Sequence, residues 1–282
     1  MNLAVGFFDG VHLGHRRILA NADAVFTFRN HPATVFAPTR APALVMSAES
    51  RRAAIAAVLR SRRLDCVRMV EFTPDFAALS PADFAGLLQR DYPELEMITC
   101  GPNWTFGAGG TGTADFLRRR GWSVETIELV DVAGAPVSST RLRAAIAAGD
   151  LETATACLGR PWRVEGDVVS GKGLGRTLGF PTLNLKVPSG LVRPPCGVYA
   201  VDTGLGRAVA NWGLAPTLGN AAWREPTLEV HLLDASPMEP PSTLAVDFLK
   251  FIRPERQFES LEELKRQIAA DMIAARQSPS ST

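Results

Sequence analysis

The hydrophobic pattern of this chain changes its period at Gly159-Arg160-Pro161, and that change limits the fold more than any other feature. Ahead of it, β-like runs alternate with helical stretches. Leu3–Phe8, Val25–Phe28, Cys66–Val70, Met97–Cys100 and Ser123–Leu129 read as strands. His15–Ala22, a run capped by Ser47 and reaching Leu59, and a run opened by Ser80-Pro81-Ala82-Asp83 read as helices. Ser139–Ala148 and Asp150–Leu158 are alanine-rich helices. Such alternation predicts a mainly parallel sheet of the α/β class. Beyond Gly159 the period is two: Arg163–Val169, Val198–Val201, Arg207–Trp212, Thr227–Leu233 and Leu244–Ile252, separated by Gly and Pro clusters. That pattern predicts an antiparallel barrel or sandwich. A capping box, Ser260-Leu261-Glu262-Glu263, opens one last helix with Leu261, Leu264, Ile268 and Met272 on one face. Two abutting domains are expected, 1–158 and 159–276, with a disordered polar tail over 277–282.

Composition narrows the function. The 282 residues are 46% hydrophobic with a formal charge of +1, which fits a globular chain and argues against a dedicated nucleic-acid binder. No apolar stretch reaches the roughly 18 residues a membrane span needs. Met1–Val5 lacks a basic leader, and Cys66, Cys100, Cys157 and Cys196 show no metal or redox spacing. A cytoplasmic chain with free thiols is expected. The only lysines are Lys172, Lys186, Lys250 and Lys265, so the first 171 residues must handle phosphate with Arg, His, a metal or backbone N–H groups.

The front-half chemistry begins at Gly6-Phe7-Phe8-Asp9-Gly10-Val11-His12-Leu13-Gly14-His15, between the first strand and the first helix. Ligands of open α/β sheets sit at that end of the strands. His12 and His15 near a helix N-terminus can hydrogen-bond phosphate oxygens, and Gly14 permits close backbone approach. Such groups stabilise charge on a phosphoryl group during in-line displacement. Zinc is a poorer explanation, since no third ligand has suitable spacing. His31, in Thr27-Phe28-Arg29-Asn30-His31-Pro32, could reach the same crevice. Asn103, Trp104 and Phe106 offer an amide and aromatics for a flat heterocycle. Ser138, Ser139, Thr140, Arg141 and Arg143 open a helix with hydroxyls and arginines suited to a triphosphate. Taken alone, each of these last segments also reads as an ordinary turn or helix cap.

In the rear half, Gly171-Lys172-Gly173-Leu174-Gly175-Arg176 joins two strands and could cradle phosphates with backbone N–H groups. Thr182 and Asn184 alternate by two and so share a strand face, where a hydroxyl and an amide oxygen could hold the magnesium of MgATP. Asn211 lies in a further strand, and Glu229 with His231 faces one side of another. A carboxylate there could act as a general base toward a hydroxyl, although a solvent-facing Glu is the plainer reading of that strand alone.

Together these segments resemble the bacterial bifunctional riboflavin kinase/FMN adenylyltransferases, the FAD synthetases, over residues 4–276. The string G-F-F-D-G-V-H-L-G-H, the S-S-T-R-L-R segment, G-R-T-L-G-F-P-T-L-N and the closing F-I-R-P-E-R-Q-F-E-S-L-E-E-L-K-R-Q-I carry the resemblance. It implies a Rossmann-like nucleotidyltransferase domain that converts FMN and ATP to FAD and diphosphate. It also implies a six-stranded antiparallel riboflavin kinase barrel, with a C-terminal helix, that phosphorylates the ribityl 5′-hydroxyl. Carried over, His12 and His15 would stabilise the α-phosphate transition state and Glu229 would be the kinase base. Gly6, Phe7, Asp9, Gly14, Ser139, Thr140, Arg143, Gly171, Lys172, Gly173, Gly175, Arg176 and Asn211 would contact ATP or phosphate. His31, Asn103 and Phe106 would contact flavin, and Thr182 and Asn184 would hold Mg²⁺ with ATP. ATP, riboflavin, FMN and FAD would be the partners, with no nucleic acid, no membrane and at most weak self-association. The chain departs from the family in a shorter stretch between His15 and Thr27, Arg29 for an acidic residue, Leu183 for alanine and Ala215 for arginine. Two other readings stay open at this level: a kinase with a non-catalytic front domain, and a flavin-binding regulator.

Overall fold

The computed structural model describes residues 1–59, 63–171, 175, 178–214, 226–234 and 239–278. Two compact units emerge, Met1–Arg141 and Leu142–Thr282. Their division falls inside the helix Ser139–Ala148, ahead of the pattern change at Gly159.

The first unit is built on β1 (Asn2–Val5), α1 (Leu13–Leu19), β2 (Ala24–Phe28), α2 (Ala33–Phe36) and α3 (Ala48–Val58). It continues through β3 (Val67–Val70), α4 (Pro74–Ala77), α5 (Pro81–Asp91), β4 (Met97–Cys100), β5 (Thr105–Phe106) and β6 (Gly112–Thr113). It closes with α6 (Ala114–Arg118), β7 (Ser123–Thr126), β8 (Asp131–Val132), β9 (Ala135–Pro136) and the start of α7 (Ser139–Ala148). Five strands pair in parallel in the order β3-β2-β1-β4-β7. Both faces of β1 are buried: Ala4 packs with Ile18, Leu19, Val25 and Ile55, and Leu3 and Val5 with Phe26, Phe84, Leu88 and Ile98. A strand covered on both sides is the rule for parallel sheets. The order reverses between β1 and β4, which opens a crevice at their carboxyl ends.

Two strands are shorter than their hydrophobic runs. β1 stops at Val5 because Phe8 (φ 58°), Gly10 (φ 85°) and Val11 (φ 44°) turn the chain into left-handed conformations. β7 ends at Thr126, and Ile127–Leu129 line the crevice instead. Ser47, Ser80 and Asp150 cap α3, α5 and α8 (Leu151–Leu158) as their sequences require.

The second unit contains a closed barrel of β10 (Trp162–Val169), β11 (Leu183–Lys186), β12 (Gly197–Thr203), β13 (Gly206–Leu214), β14 (Pro226–Leu232) and β15 (Thr243–Pro254). The strands run antiparallel in the order β10-β11-β14-β13-β12-β15, and β15 closes onto β10. Phe248, fully buried, packs its ring 4.9 Å from Trp162, 5.2 Å from Tyr199 and 5.9 Å from Trp212. The last helix, α9 (Leu261–Arg276), is held by its Asp271 and Ala275 face. Ala275 packs on Ala200, Leu233, Val209 and Ile252, and Asp271 takes a bidentate pair from Arg253 of β15.

Two expectations for this helix are corrected. Leu261 is 62% exposed and is not packed: it shares the angular face of Ile268 and Met272 but stands in the first turn, whereas the helix is buried towards its other end, at Asp271 and Ala275. The tail is not free throughout: Ser278 is buried, its carbonyl accepts from Arg207 at 2.9 Å and its hydroxyl donates to the Ala274 carbonyl.

The barrel's dependence on its aromatic centre is measurable. Phe248→Ala should lower unfolding stability by about 3–5 kcal/mol in a urea melt of the second unit's transition. A loss under about 1 kcal/mol would mean that the ring cluster is not the core of the barrel.

Candidate active sites

The loop from β1 to α1 is pinned from several sides. The Thr27 hydroxyl, buried on β2, donates to the Phe7 carbonyl at 3.2 Å. The Ser139 hydroxyl donates to the Asp9 carbonyl at 2.9 Å. Asp9, 1% exposed, accepts the Val45 N–H with both carboxylate oxygens, at 2.9 and 3.1 Å. These bonds hold Phe8 and Val11 at positive φ, a conformation costly for aromatic and β-branched residues. Strain of that kind persists where the surroundings over-determine it, commonly at functional sites.

His12 ends the loop as the cap of α1, its Nδ1 accepting the His15 N–H at 3.3 Å. The two imidazoles stack with centroids 3.5 Å apart and planes 18° from parallel. Two cations could not be held so closely. Burial pushes His12 down to about 4, slightly opposed by its backbone hydrogen bond. His15 is driven well below the ordinary imidazole value by burial, then by the charges of His12 and Arg51. Both rings are therefore neutral at pH 7, and each can present one N–H donor.

Two cavities open above the sheet. One, about 260 Å³, is lined at the ends of β1, β4 and β7 by Gly6, His12, His15, Asn103, Glu128 and Ser139, among others. The other, about 220 Å³, is an aromatic box that includes Phe28, Phe36, Phe72, Phe76, Trp104 and Phe106. Val5, Gly6 and Trp104 line both, so the two meet at the end of β1. Trp104 and Phe106 stack at 4.6 Å and set the box wall. Flat rings suit such walls.

In the barrel, strand register assembles the polar groups. Asn184 on β11 is the cross-strand partner of Glu229 on β14, which in turn pairs with Asn211 on β13. Directly opposed residues share a face, so the three form one polar row across three strands. Glu229, His231 and Asn211 line a cleft of about 640 Å³ with Thr182, Phe180, Arg253, Glu255 and Phe258. Thr182 and Asn184 line a neighbouring cleft of about 520 Å³ with Gly171 and Ser242. Thr182 belongs to both. His231 Nδ1 lies 2.8 Å from the Pro181 carbonyl and donates to it. Asn211 donates its amide to Glu255 at 3.1 Å. Gly171 leaves room for Asn184: a Cβ there would lie 2.2 Å from its amide nitrogen. At Gly175 it would lie 2.4 Å from the Phe180 carbonyl oxygen.

The structure thus gathers Gly6, Phe7, Gly14, His12, His15, Asn103 and Ser139 around one front cavity, and Phe106 around the other. Asp9 is buried beneath the loop, and its known bonds hold Val45. His31 sits behind Phe7, ring centroids 4.8 Å apart, with its Nδ1 accepting the Ala33 N–H. Thr140 is exposed and outside the cavity lining, and Arg143 lies beyond the division at Arg141. Thr182 sits one residue ahead of β11 rather than within it. Asn211, expected at the phosphates, lines the cleft with Glu229 rather than the one with Asn184. Lys172, Gly173, Arg176 and Ala215 lie outside the described residues. Sequence reasoning missed Arg51, Glu255 and Arg253, since an Arg in a helix and an Arg-Pro-Glu turn carry no chemical signature of their own.

An open parallel α/β sheet with its cavities at the strand ends and a closed antiparallel barrel with a polar row form two separate candidate sites in one chain. Comparison with known proteins gives the particular family. The FAD synthetase family model matches residues 1–141, and the riboflavin kinase family model matches residues 158–278. The bifunctional riboflavin kinase/FMN adenylyltransferase of Pseudomonas fluorescens is 37% identical, covering 96% of this chain and 91% of its own. That of Escherichia coli K12 is 36% identical (98% and 91%), and that of Bacillus subtilis 31% identical (95% and 89%). The chain belongs to the bifunctional riboflavin kinase/FMN adenylyltransferase family, and both of its halves match, which disfavours a kinase alone or a regulator. A solved structure described as a macrolide-efflux protein from Streptococcus pneumoniae superposes with a TM-score of 0.83 at 28% identity, covering 98% of this chain and 93% of that one. Among the described residues here, no helix is long and apolar enough to cross a membrane.

The depressed imidazoles make the first unit sensitive to acid. Between about pH 6.5 and about 4 the unfolded chain takes up a proton at His12 that the folded chain refuses, so stability falls as pH drops through that window and is level above it. The His12 contribution is on the order of 3 kcal/mol. His12→Asn, which keeps a capping oxygen, should flatten the pH dependence of the first unit's urea midpoint between pH 7 and 4. An unchanged slope would mean that His12 does not enter the fold neutral.

Proposed function

We propose that the front unit transfers AMP to FMN through His12 and His15 and that the barrel phosphorylates riboflavin through Glu229. The kinase is assigned to 159–276 and adenylyl transfer to the chain up to 158. In the first reaction a phosphate oxygen of FMN attacks the α-phosphorus of ATP, a new P–O bond forms, and the bond to diphosphate breaks. The neutral imidazoles donate hydrogen bonds to oxygens that gain charge in that transition state. Gly6, Phe7 and Gly14 let the nucleotide approach the loop, and Ser139 and Asp9 keep the loop in place. Thr140 and Arg143 are assigned to the triphosphate. The aromatic box takes the isoalloxazine ring, with Phe106 in its wall, Asn103 reaching it from the adjoining cavity and His31 supporting Phe7. The single observation behind this reading is the stacked, neutral His12–His15 pair at the sheet's switch point.

In the barrel, Glu229 accepts the proton of the ribityl 5′-hydroxyl as that oxygen attacks the γ-phosphorus and ADP departs. Thr182 and Asn184 supply a hydroxyl and an amide oxygen, ligand types that Mg²⁺ accepts when nucleotide phosphates complete its shell. Those oxygen donors line one cleft and fit Mg²⁺ held by MgATP, a hard cation bound by few protein ligands and completed by phosphates. When bound, the ion would neutralise phosphate charge. Gly171, Lys172, Gly173, Gly175 and Arg176 are assigned to the phosphates, and Asn211 fixes Glu255 beside Glu229. The cell compartment that fits this chemistry and these free thiols is the cytoplasm.

With riboflavin or FMN supplied separately, Glu229→Gln should cut FMN formation by roughly 10²–10⁴-fold and spare FAD formation from FMN. His15→Ala should do the reverse. A variant that stays folded and loses both activities would overturn the assignment of separate sites.

A further inference from the structure

Beneath the front cavity lies a buried cation that neither the motifs nor the reaction has used. Arg51, on α3, is 0% exposed. Its Nη2 donates to the carbonyls of Phe28 and Arg29, at 2.6 and 2.7 Å, at the carboxyl end of β2. Its guanidinium lies 4.2 Å from the ring centroid of Phe7, the second residue of the phosphate loop. Its Nε and Nη1 have no hydrogen-bond partner, and neither does the buried Nδ1 of His15. Buried polar atoms in a folded protein are nearly always paired, and unpaired ones ask for an explanation. Here orphaned donors and an orphaned imidazole nitrogen occur at one site, on residues whose charges influence one another.

We infer that Arg51 is a positioning residue for AMP transfer: its guanidinium ties the end of β2 to Phe7 and so fixes the loop that presents His15 to the transferred phosphate. This rests on the reading of His15 as a ligand of that phosphate. The charged neighbours of the pair act on it in both directions. His12, on the same helix cap, opposes protonation of His15, as does Arg51 from α3. Asp9 from the loop and Glu49 from α3 hold Arg51 charged, while Arg29 after β2 and burial oppose that charge and bring it down to about 10. Arg51 is thus still a cation at pH 7, while the imidazole is not. The fork also explains why an arginine suits this position. Nη2 spans two carbonyls while the flat guanidinium face rests on an aromatic ring, and an ammonium has no such face to stack.

The test uses the full chain with Arg51→Met and Arg51→Lys. Riboflavin kinase activity of the same molecules reports folding of the second unit, and circular dichroism with urea melts reports the first. AMP transfer should fall roughly 10–100-fold in kcat for both variants, with KM for ATP and FMN little changed. The chain holds four histidines, so ¹⁵N-labelled His15 can be followed by NMR. In Arg51→Met its titration should move upward, and the kcat loss should deepen as pH falls below the ordinary imidazole value. In Arg51→Lys the titration should stay depressed while kcat still falls. Wild-type kcat in both variants would overturn the inference, as would a change confined to KM or an unmoved His15 titration in Arg51→Met. If Arg51→Met does not fold, the kcat and titration of Arg51→Lys decide alone. His15→Ala, run in parallel, tests the underlying reading separately. Retained AMP transfer there would remove His15 from the reaction whatever Arg51 does.

Discussion

On the proposed reading the front unit handles phosphate without lysine, and its cavity is built from histidines that are buried and neutral. His12 and His15 stack at 3.5 Å only because burial has removed their charge. Neutral rings need to be aimed, since they attract phosphate by hydrogen-bond direction rather than by net charge. The surrounding structure supplies the aim. Thr27 holds Phe7, Ser139 holds Asp9, Asp9 holds Val45, and Arg51 lies under Phe7. These anchors come from β2, the start of α7, the segment before α3, and α3 itself. Their convergence accounts for the left-handed Phe8 and Val11, which an isolated loop would not sustain.

The barrel meets a different demand with different means. The base, amide and Mg²⁺ ligands proposed there need fixed spacing, and antiparallel register provides it without special loops. Asn184, Glu229 and Asn211 are opposed across β11, β14 and β13, and a slip of one residue would turn the row to the other face. Closure through β15 and the Phe248 cluster resists such a slip. The C-terminal helix adds a wall: Arg253 and Asp271, bound to one another, line the Glu229 cleft with Leu264 and Ile268.

Much of this was legible in the sequence because period and punctuation are local. The change of period at Gly159 separated a parallel from an antiparallel architecture, and Ser47, Ser80 and Ser260 marked helix starts that the structure retains. The loop between β1 and α1 was legible as a candidate site because its glycines and histidines follow a strand and open a helix, and the structure places His12, Gly14 and His15 at one cavity. What escaped depends on long-range contact. Nothing local distinguishes Arg51 from its neighbour Arg52, yet Arg51 is fully buried and Arg52 is exposed. The aromatic box was invisible for the same reason, since Phe28, Phe72 and Trp104 are brought together only by the sheet. Leu261 failed in the opposite way: its local pattern marked a core face, but the helix is buried only farther along, at Asp271 and Ala275.

The central proposal is that two separate sites, one run by neutral imidazoles and one by a carboxylate row, each carry one of the two reactions of this chain. Mixing purified Glu229→Gln and His15→Ala chains with riboflavin, ATP and magnesium tests it most directly, with the flavins resolved by chromatography. Alone, the first should leave riboflavin unchanged and the second should stop at FMN, while the mixture should produce FAD. A mixture of folded variants that accumulates FMN without FAD, or makes neither, would contradict the account.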